Sequence, residues 1–190
     1  ERRQGPSILL VMPRGVLYQH NRGFRKNLRY SPLTLTTLAA FTPESLNARI
    51  RIVDEGVEEV DYRRASADLV GITCITGTAT RAYEIADSFR ERGTPVVLGG
   101  PHPTLMPEEA RTHADAVVVG LANRSWPELL NDFMSGALHP FYCDPDATVV
   151  HMPFARRDLL RRRGYITVNT VQATYGCPHT CDFCVVGIVR

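Results

Sequence analysis

The chain has 190 residues, with 22 Lys and Arg against 20 Asp and Glu, 44% hydrophobic residues and five cysteines. At roughly 150 residues per domain this allows one full domain and part of another, and a net charge of +2 leaves no basic excess for a phosphate backbone, so nucleic acid is not an expected partner. No apolar run approaches the roughly 18–20 residues of a membrane span, Glu1-Arg2-Arg3-Gln4 opens no signal peptide, and the odd cysteine count argues against a closed disulfide framework in what reads as a cytoplasmic chain.

Ser7–Met12 is a short continuous apolar run closed by Pro13, as expected of a strand buried on both faces. A polar loop follows through Arg14–Ser31. Pro32 opens a helix with Leu35, Leu38 and Ala39 at i, i+3, i+4 spacing. Ala48–Val53 alternates apolar and basic residues as a second strand, a short acidic stretch reads as helical, and Asp68–Cys74 is a third strand. Thr76-Gly77-Thr78 starts the clearest helix, with a buried stripe of Ala79, Ala82, Ile85, Ala86 and Phe89 and a stop at Gly93. Pro95–Gly100, a short helix over Pro107–Ala114, Ala116–Gly120 and an amphipathic helix over Ser125–Met134 complete the alternation.

Strands alternating with helices of this length imply βαβ crossovers and a parallel sheet. Residues 5–135 therefore read as an α/β domain, a doubly wound five-stranded parallel sheet in the flavodoxin-like order 2-1-3-4-5. Between residues 136 and 164 the pattern lapses into a linker with Pro140, Pro145, Pro153 and the basic stretch Arg156–Arg163. Tyr165–Ala173 resumes as a strand that opens a further unit over residues 165–190 and leads into Cys177-Pro178-His179-Thr180-Cys181-Asp182-Phe183-Cys184.

That C-x3-C-x2-C spacing gathers three of the five cysteines within eight residues. Thiolates are soft ligands that suit iron–sulfur clusters or zinc. Three of them can hold three corners of a cubane and leave one iron open to a small molecule. Zinc with His179 as a fourth ligand is the plain alternative. It is weakened because His179 sits between the first two cysteines, whereas structural zinc sites usually have two separated ligand pairs. A cluster loop this close to Arg190, in a chain without an initiating Met, reads as part of a longer protein.

Here the chain resembles the radical S-adenosylmethionine (SAM) superfamily. Ala173-Thr174-Tyr175-Gly176 and the cysteine run are similar to its strand-then-loop signature, aromatic residue before the last cysteine included, although Tyr175 stands where Arg is frequent. The resemblance implies that Cys177, Cys181 and Cys184 ligate a [4Fe-4S] cluster whose open iron chelates SAM. It also implies that residues 165–190 begin a partial TIM barrel, and that a flavodoxin or ferredoxin donates electrons.

In an open α/β sheet, ligands bind beyond the carboxyl ends of the strands, which singles out the loops Pro13–Ser31, Cys74–Thr78, Gly99–Thr104 and Gly120–Ser125. Gly99-Gly100 permits close approach of a ligand to the backbone, and Thr73, Thr76 and Thr78 offer hydroxyls at a helix start. A tight turn and ordinary helix capping are the plainer readings. Met12-Pro13-Arg14 and Thr73-Cys74 lack the acids of a phospho-receiver, and the first loop carries neither a Ser/Thr-rich phosphate loop nor Gly-x-Gly-x-x-Gly.

Val97-Leu98-Gly99-Gly100-Pro101-His102-Pro103-Thr104 with Pro107-Glu108-Glu109-Ala110, together with Asp68–Thr73, Ser31–Leu35 and Arg156–Leu159, resembles the cobalamin (B12)-binding domain found in front of radical SAM barrels. The resemblance implies that the corrin lies over the sheet edge and that Thr73, Thr76, Thr78, Gly99, Gly100, His102 and Gly120 line the cofactor site. Two departures stand out. Many relatives continue after strand five with Gly-Glu-x-Glu, where this chain has Gly120-Leu121-Ala122-Asn123. The cobalt-ligating Asp-x-His-x-x-Gly is matched only at His20 and Gly23, without the Asp that would orient the imidazole, so His20 is either a ligand or a solvated loop residue.

The function implied is the N-terminal part of a cobalamin-dependent radical SAM enzyme acting on a small-molecule substrate, by methyl transfer to an unactivated carbon or by rearrangement. The alternative is a non-catalytic corrinoid-binding module whose terminal cysteines hold a structural metal. Cys74 reads as a small core residue, Cys143 has no evident partner, and His113, His139 and His151 have no ligand-like spacing.

Overall fold

In the computed structural model the described residues are 5–15, 30–144, 152–173, 176–179 and 181–187. The strands are β1 (Ser7–Met12), β2 (Arg49–Asp54), β3 (Leu69–Thr73), β4 (Val96–Gly99), β5 (Ala116–Val119) and β6 (Phe141–Cys143). They form one parallel sheet in the order β2-β1-β3-β4-β5-β6. The helices are α1 (Leu33–Ala40), α2 (Ala79–Arg90), α3 (Pro101–Leu105), α4 (Pro107–Thr112) and α5 (Ala122–Ser135). None of the described helices is long and apolar enough to cross a membrane.

The strand side chains alternate between two cores. Leu9, Val11, Val70, Ile72, Leu98 and Val117 face α2 with its buried Ala82, Ile85 and Phe89. Ile8, Leu10, Leu69, Val97 and Val118 face α1 and α5, where Leu35, Trp126, Leu129 and Leu130 are buried. Strands apolar on both faces need a helix layer on each side, which the parallel crossovers supply. The stripe expected of α2 is buried at all five positions, and α5 stops at Gly136, whose φ of +72° makes it a left-handed cap.

The structure departs from the sequence reading in four places. The sheet has a sixth strand where a linker was expected. Phe141–Cys143 pairs with β5 in register with Val117–Val119, and the Tyr142 hydroxyl donates to Asp132 at 2.8 Å. This covers what would otherwise be an open sheet edge. The acidic stretch after β2 forms turns rather than a helix, because Asp54 and Asp61 each accept the backbone N–H two residues on, from Gly56 and Arg63. The Pro-His-Pro run forms α3 instead of a stiff loop, with Pro101 and Pro103 in its first turns, where a missing N–H is harmless.

The strand expected over Tyr165–Ala173 is not formed. Among the described residues it makes one isolated parallel bridge, Thr167 to Tyr30, since no second strand lies beside it. Residues 152–173 instead run as a strap over α1. The Arg156 N–H donates to the Thr36 carbonyl at 2.9 Å, Ser31 Oγ and Thr170 Oγ1 are 3.0 Å apart, and Leu160 joins the α1/α5 core, against which Tyr165 and Val168 also pack.

Candidate functional site

The carboxyl ends of the strands open into a cleft of about 860 Å³ between the sheet, α1 and α5. Its shape follows from strand parity. Gly71 on β3 and Gly99 on β4 fall on the α1/α5 face, as Val97 and Val118 do, and Gly120 follows β5 directly. Gly99 and Gly120 leave open the space a Val or Leu would fill, while the space beside Gly71 is taken by Leu10 and Trp126. Leu33, Leu38 and Phe41 of α1 line one wall, Ala122 and Trp126 of α5 another, and Tyr30, Met152 and Gln172 the rim. The Trp126 indole N–H donates to Thr42 Oγ1 at 3.1 Å, which fixes the ring.

Each glycine has its own reason. A Cβ on Gly71 would lie 3.0 Å from Leu10 Cδ2 and 3.4 Å from the Trp126 ring. One on Gly100, at φ +101°, would lie 2.7 Å from Thr73 Oγ1 and 3.0 Å from the Cys74 carbonyl. Gly99 has no such conflict, its nearest neighbour being Val118 Cβ at 3.6 Å.

Of the residues expected at a cofactor site, Thr73, Thr78, Gly99, Gly100 and Gly120 line the cleft, whereas Thr76 and His102 are not among its lining residues. Thr78 Oγ1 accepts the Ile75 N–H at 3.2 Å and donates to the Ile75 carbonyl, so this hydroxyl works as a helix-start cap. His102 is 5% exposed and lies behind the loop. Its Nδ1 is 3.2 Å from Thr76 Oγ1, its Nε2 is 3.0 Å from the Tyr83 hydroxyl and 3.3 Å from Glu109, and its backbone N–H donates to the Cys74 carbonyl. The Tyr83 ring stacks on His113 at 4.2 Å, and His113 is paired with Asp87 at 2.9 Å. This network bolts the loop after β3 to α2, α3 and α4. Tyr83 and His102 together hold the Glu109 carboxyl below the usual carboxylate range.

Sequence reasoning missed Thr104, whose hydroxyl ties the β4 and β5 loops together. Thr104 stands in the singled-out loop Gly99–Thr104, but its role across to Gly120 depends on the pairing of β4 with β5. Arg14 and Asn123 fall in two of the loops singled out from sequence, without being among the expected cofactor-site residues, and both line the cleft. Arg14 Nε and Asn123 Oδ1 are buried, with no hydrogen-bond partner among the described residues. The expected loop ligand His20 lies outside the described residues.

The cysteine loop is not gathered into a ligand set. Cys181 is exposed, Cys177 and Cys184 are half-buried, and the Cys184 N–H donates to the Cys181 carbonyl at 3.0 Å. No group of three or more metal-ligating side chains is found among the described residues.

A doubly wound parallel sheet with an open cleft at its carboxyl edge puts the molecule among the α/β proteins that bind ligands beyond the strand ends. The B12 binding domain family matches residues 29–130, and the chain belongs to that family. It is 39% identical over 160 residues to bacteriochlorophyllide d C-8(2)-methyltransferase of Chlorobaculum tepidum and 32% identical over 159 residues to bacteriochlorophyllide d C-12(1)-methyltransferase of the same organism. It is also 28% identical over 160 residues to an uncharacterized methyltransferase of a Synechocystis species. Each alignment takes in 80% of this chain, but only 35%, 34% and 28% of those proteins, so the chain spans about a third of their length.

Proposed function

We propose that this chain is the cobalamin-binding, N-terminal portion of a cobalamin-dependent radical SAM methyltransferase acting on a tetrapyrrole of the bacteriochlorophyllide kind. The observation that carries the reading is the cleft at the strand ends, where Gly99 and Gly120 leave room that a larger side chain would fill. It fits the nucleotide tail of cobalamin, with the corrin over the strand ends. The two buried polar atoms in its wall, Arg14 Nε and Asn123 Oδ1, suit a ligand with polar groups at its edge. The names of the two Chlorobaculum relatives support the reaction and the substrate class.

Bound cobalamin would supply a cobalt centre able to carry a methyl group, and a [4Fe-4S] cluster held by Cys177, Cys181 and Cys184 would supply reductive cleavage of SAM with electrons from a flavodoxin or ferredoxin. The chain's own part is to bind and orient. Thr73, Gly99, Gly100 and Gly120 present backbone and hydroxyl groups to the slot, and Thr78, its hydroxyl bonded to Ile75, fixes the helix start beside them. Thr76 and His102 hold the loop that carries them, and α1, α5 and the strap exclude water from three sides.

Titration of the chain with hydroxocobalamin tests the reading. Wild type binds at micromolar concentration. Gly99→Val, which has room for its Cβ but fills the slot, folds and does not bind. No binding by wild type at tens of micromolar overturns the proposal. Anaerobic reconstitution with iron and sulfide tests the cysteines, and a colourless protein holding zinc in excess of iron refutes the cluster.

A further inference from the structure

The two orphaned atoms of the cleft differ in chemistry and in place. Arg14 Nε is a donor and Asn123 Oδ1 an acceptor. Arg14 follows β1, and Asn123 lies in the first turn of α5, just after β5. Three strand steps separate β1 from β5 in the sheet, roughly 14 Å at ordinary strand spacing. The two residues thus enter the cleft from strands that are not neighbours, and one ligand completing both would bridge them.

What the ligand offers at each residue is constrained. An ionised phosphate or carboxylate accepts from Arg14 but has no proton to give Asn123 Oδ1. An apolar edge completes neither. A primary carboxamide carries a carbonyl for the guanidinium and an N–H for the amide oxygen, and pairs with an Asn side chain through two complementary hydrogen bonds. Among the described residues no group bonds Asn123 Oδ1. Leu121, the residue flanking α5, offers no side-chain cap, and the nearby Arg124 is turned to Asp144 at 3.6 Å. Asn123 thus keeps an acceptor where a glutamate would bring a charge.

We infer that Arg14 and Asn123 are contact points for separate peripheral carboxamides of the bound corrinoid, and that Asn123 selects an amide over a carboxylate at the position it meets. This rests on the cobalamin reading. An acid in place of that amide leaves Oδ1 unpaired and brings a charge against a desolvated wall, a loss of roughly tenfold in affinity.

The test uses the full chain with hydroxocobalamin and its monocarboxylate derivatives, in each of which one peripheral amide has been hydrolysed. One isomer should bind roughly tenfold more weakly than the parent compound. Asn123→Leu should bring that isomer level with the parent, and Asn123→Asp, an acceptor only, should widen the gap. Arg14→Met should weaken the parent and leave the gap at Asn123 unchanged. Equal binding of all isomers by wild type overturns the selection, as does a gap that survives in Asn123→Leu. Unchanged affinity in Arg14→Met refutes that contact. If wild type fails to bind hydroxocobalamin itself, the cofactor reading falls and this inference with it.

Discussion

Thr104 Oγ1 accepts the Gly120 N–H at 3.0 Å while donating to the Gly100 carbonyl at 2.9 Å. One hydroxyl so fixes the spacing of the two glycine loops that flank the slot. Thr104→Val keeps the shape and leaves a part-buried N–H unpaired. It should lower stability by about 1–3 kcal/mol, read from the urea midpoint, and weaken hydroxocobalamin binding as the two loops separate.

Gly99 and Gly100 are adjacent yet should respond oppositely to alanine. Gly100→Ala meets both a φ of +101° and a clash with Thr73 and Cys74, and should lose about 2–3 kcal/mol. Gly99→Ala makes only ordinary contact with Val118 and should hold its thermal midpoint or raise it. The comparison is read by thermal unfolding of the two variants.

His102 separates contact from scaffold. Its ring bonds Thr76, Tyr83 and Glu109 rather than facing the cleft. His102→Leu should lower stability by about 1–3 kcal/mol through the buried groups it leaves unpaired. Its effect on hydroxocobalamin affinity should be far smaller than that of Gly99→Val. Equal loss of affinity in the two variants would mean that the ring itself touches the cofactor.

The start of the sheet carries an acid-sensitive link. Asp68 accepts from the Ser7 backbone N–H at 2.7 Å and from the Ser7 hydroxyl at 2.8 Å, and these bonds, in that order, hold its carboxyl below the ordinary range. A depressed acid contributes stability above its unfolded pKa of about 3.9 and loses it as pH falls through the folded value. Asp68→Asn should therefore be less stable at neutral pH and show a shallower loss in acid, below about pH 5, in urea titrations at stepped pH.

The cysteines should divide by reactivity. Burial, with a smaller push from Glu109, raises the Cys74 thiol to about 12, and the reactive species is the thiolate. Iodoacetamide at neutral pH should modify the exposed Cys143 and Cys181 and spare Cys74 in the native chain. Peptide mass spectrometry before and after unfolding checks this.

Local patterns in the sequence were enough to read five strands and the crossing helices other than the acidic stretch after β2, because a stripe such as Ala79, Ala82, Ile85, Ala86 and Phe89 states its own period. Gly99-Gly100 was likewise visible as a place where backbone is exposed. The rest depended on register between distant strands. That Gly71, Gly99 and Gly120 share a face follows only once β3 is paired with β4 and β4 with β5. Phe141–Cys143 is too short to declare itself, and becomes a strand because β5 offers an edge and Asp132 a partner for Tyr142. The direction of the His102 ring was hidden by α3, since two prolines in five residues read as a loop. The segment Tyr165–Ala173 shows the reverse case, a strand-like pattern left without a neighbouring strand to pair with.

Trp126 is the one tryptophan of the chain. It is 1% exposed and forms part of the cleft wall. The molecule therefore carries an optical gauge in the wall of its cleft. A strongly absorbing corrinoid seated over the strand ends drains the emission of that single indole, so occupancy can be followed in the unlabelled protein as quenching. The same signal reports any variant that opens the wall and lets water reach the ring.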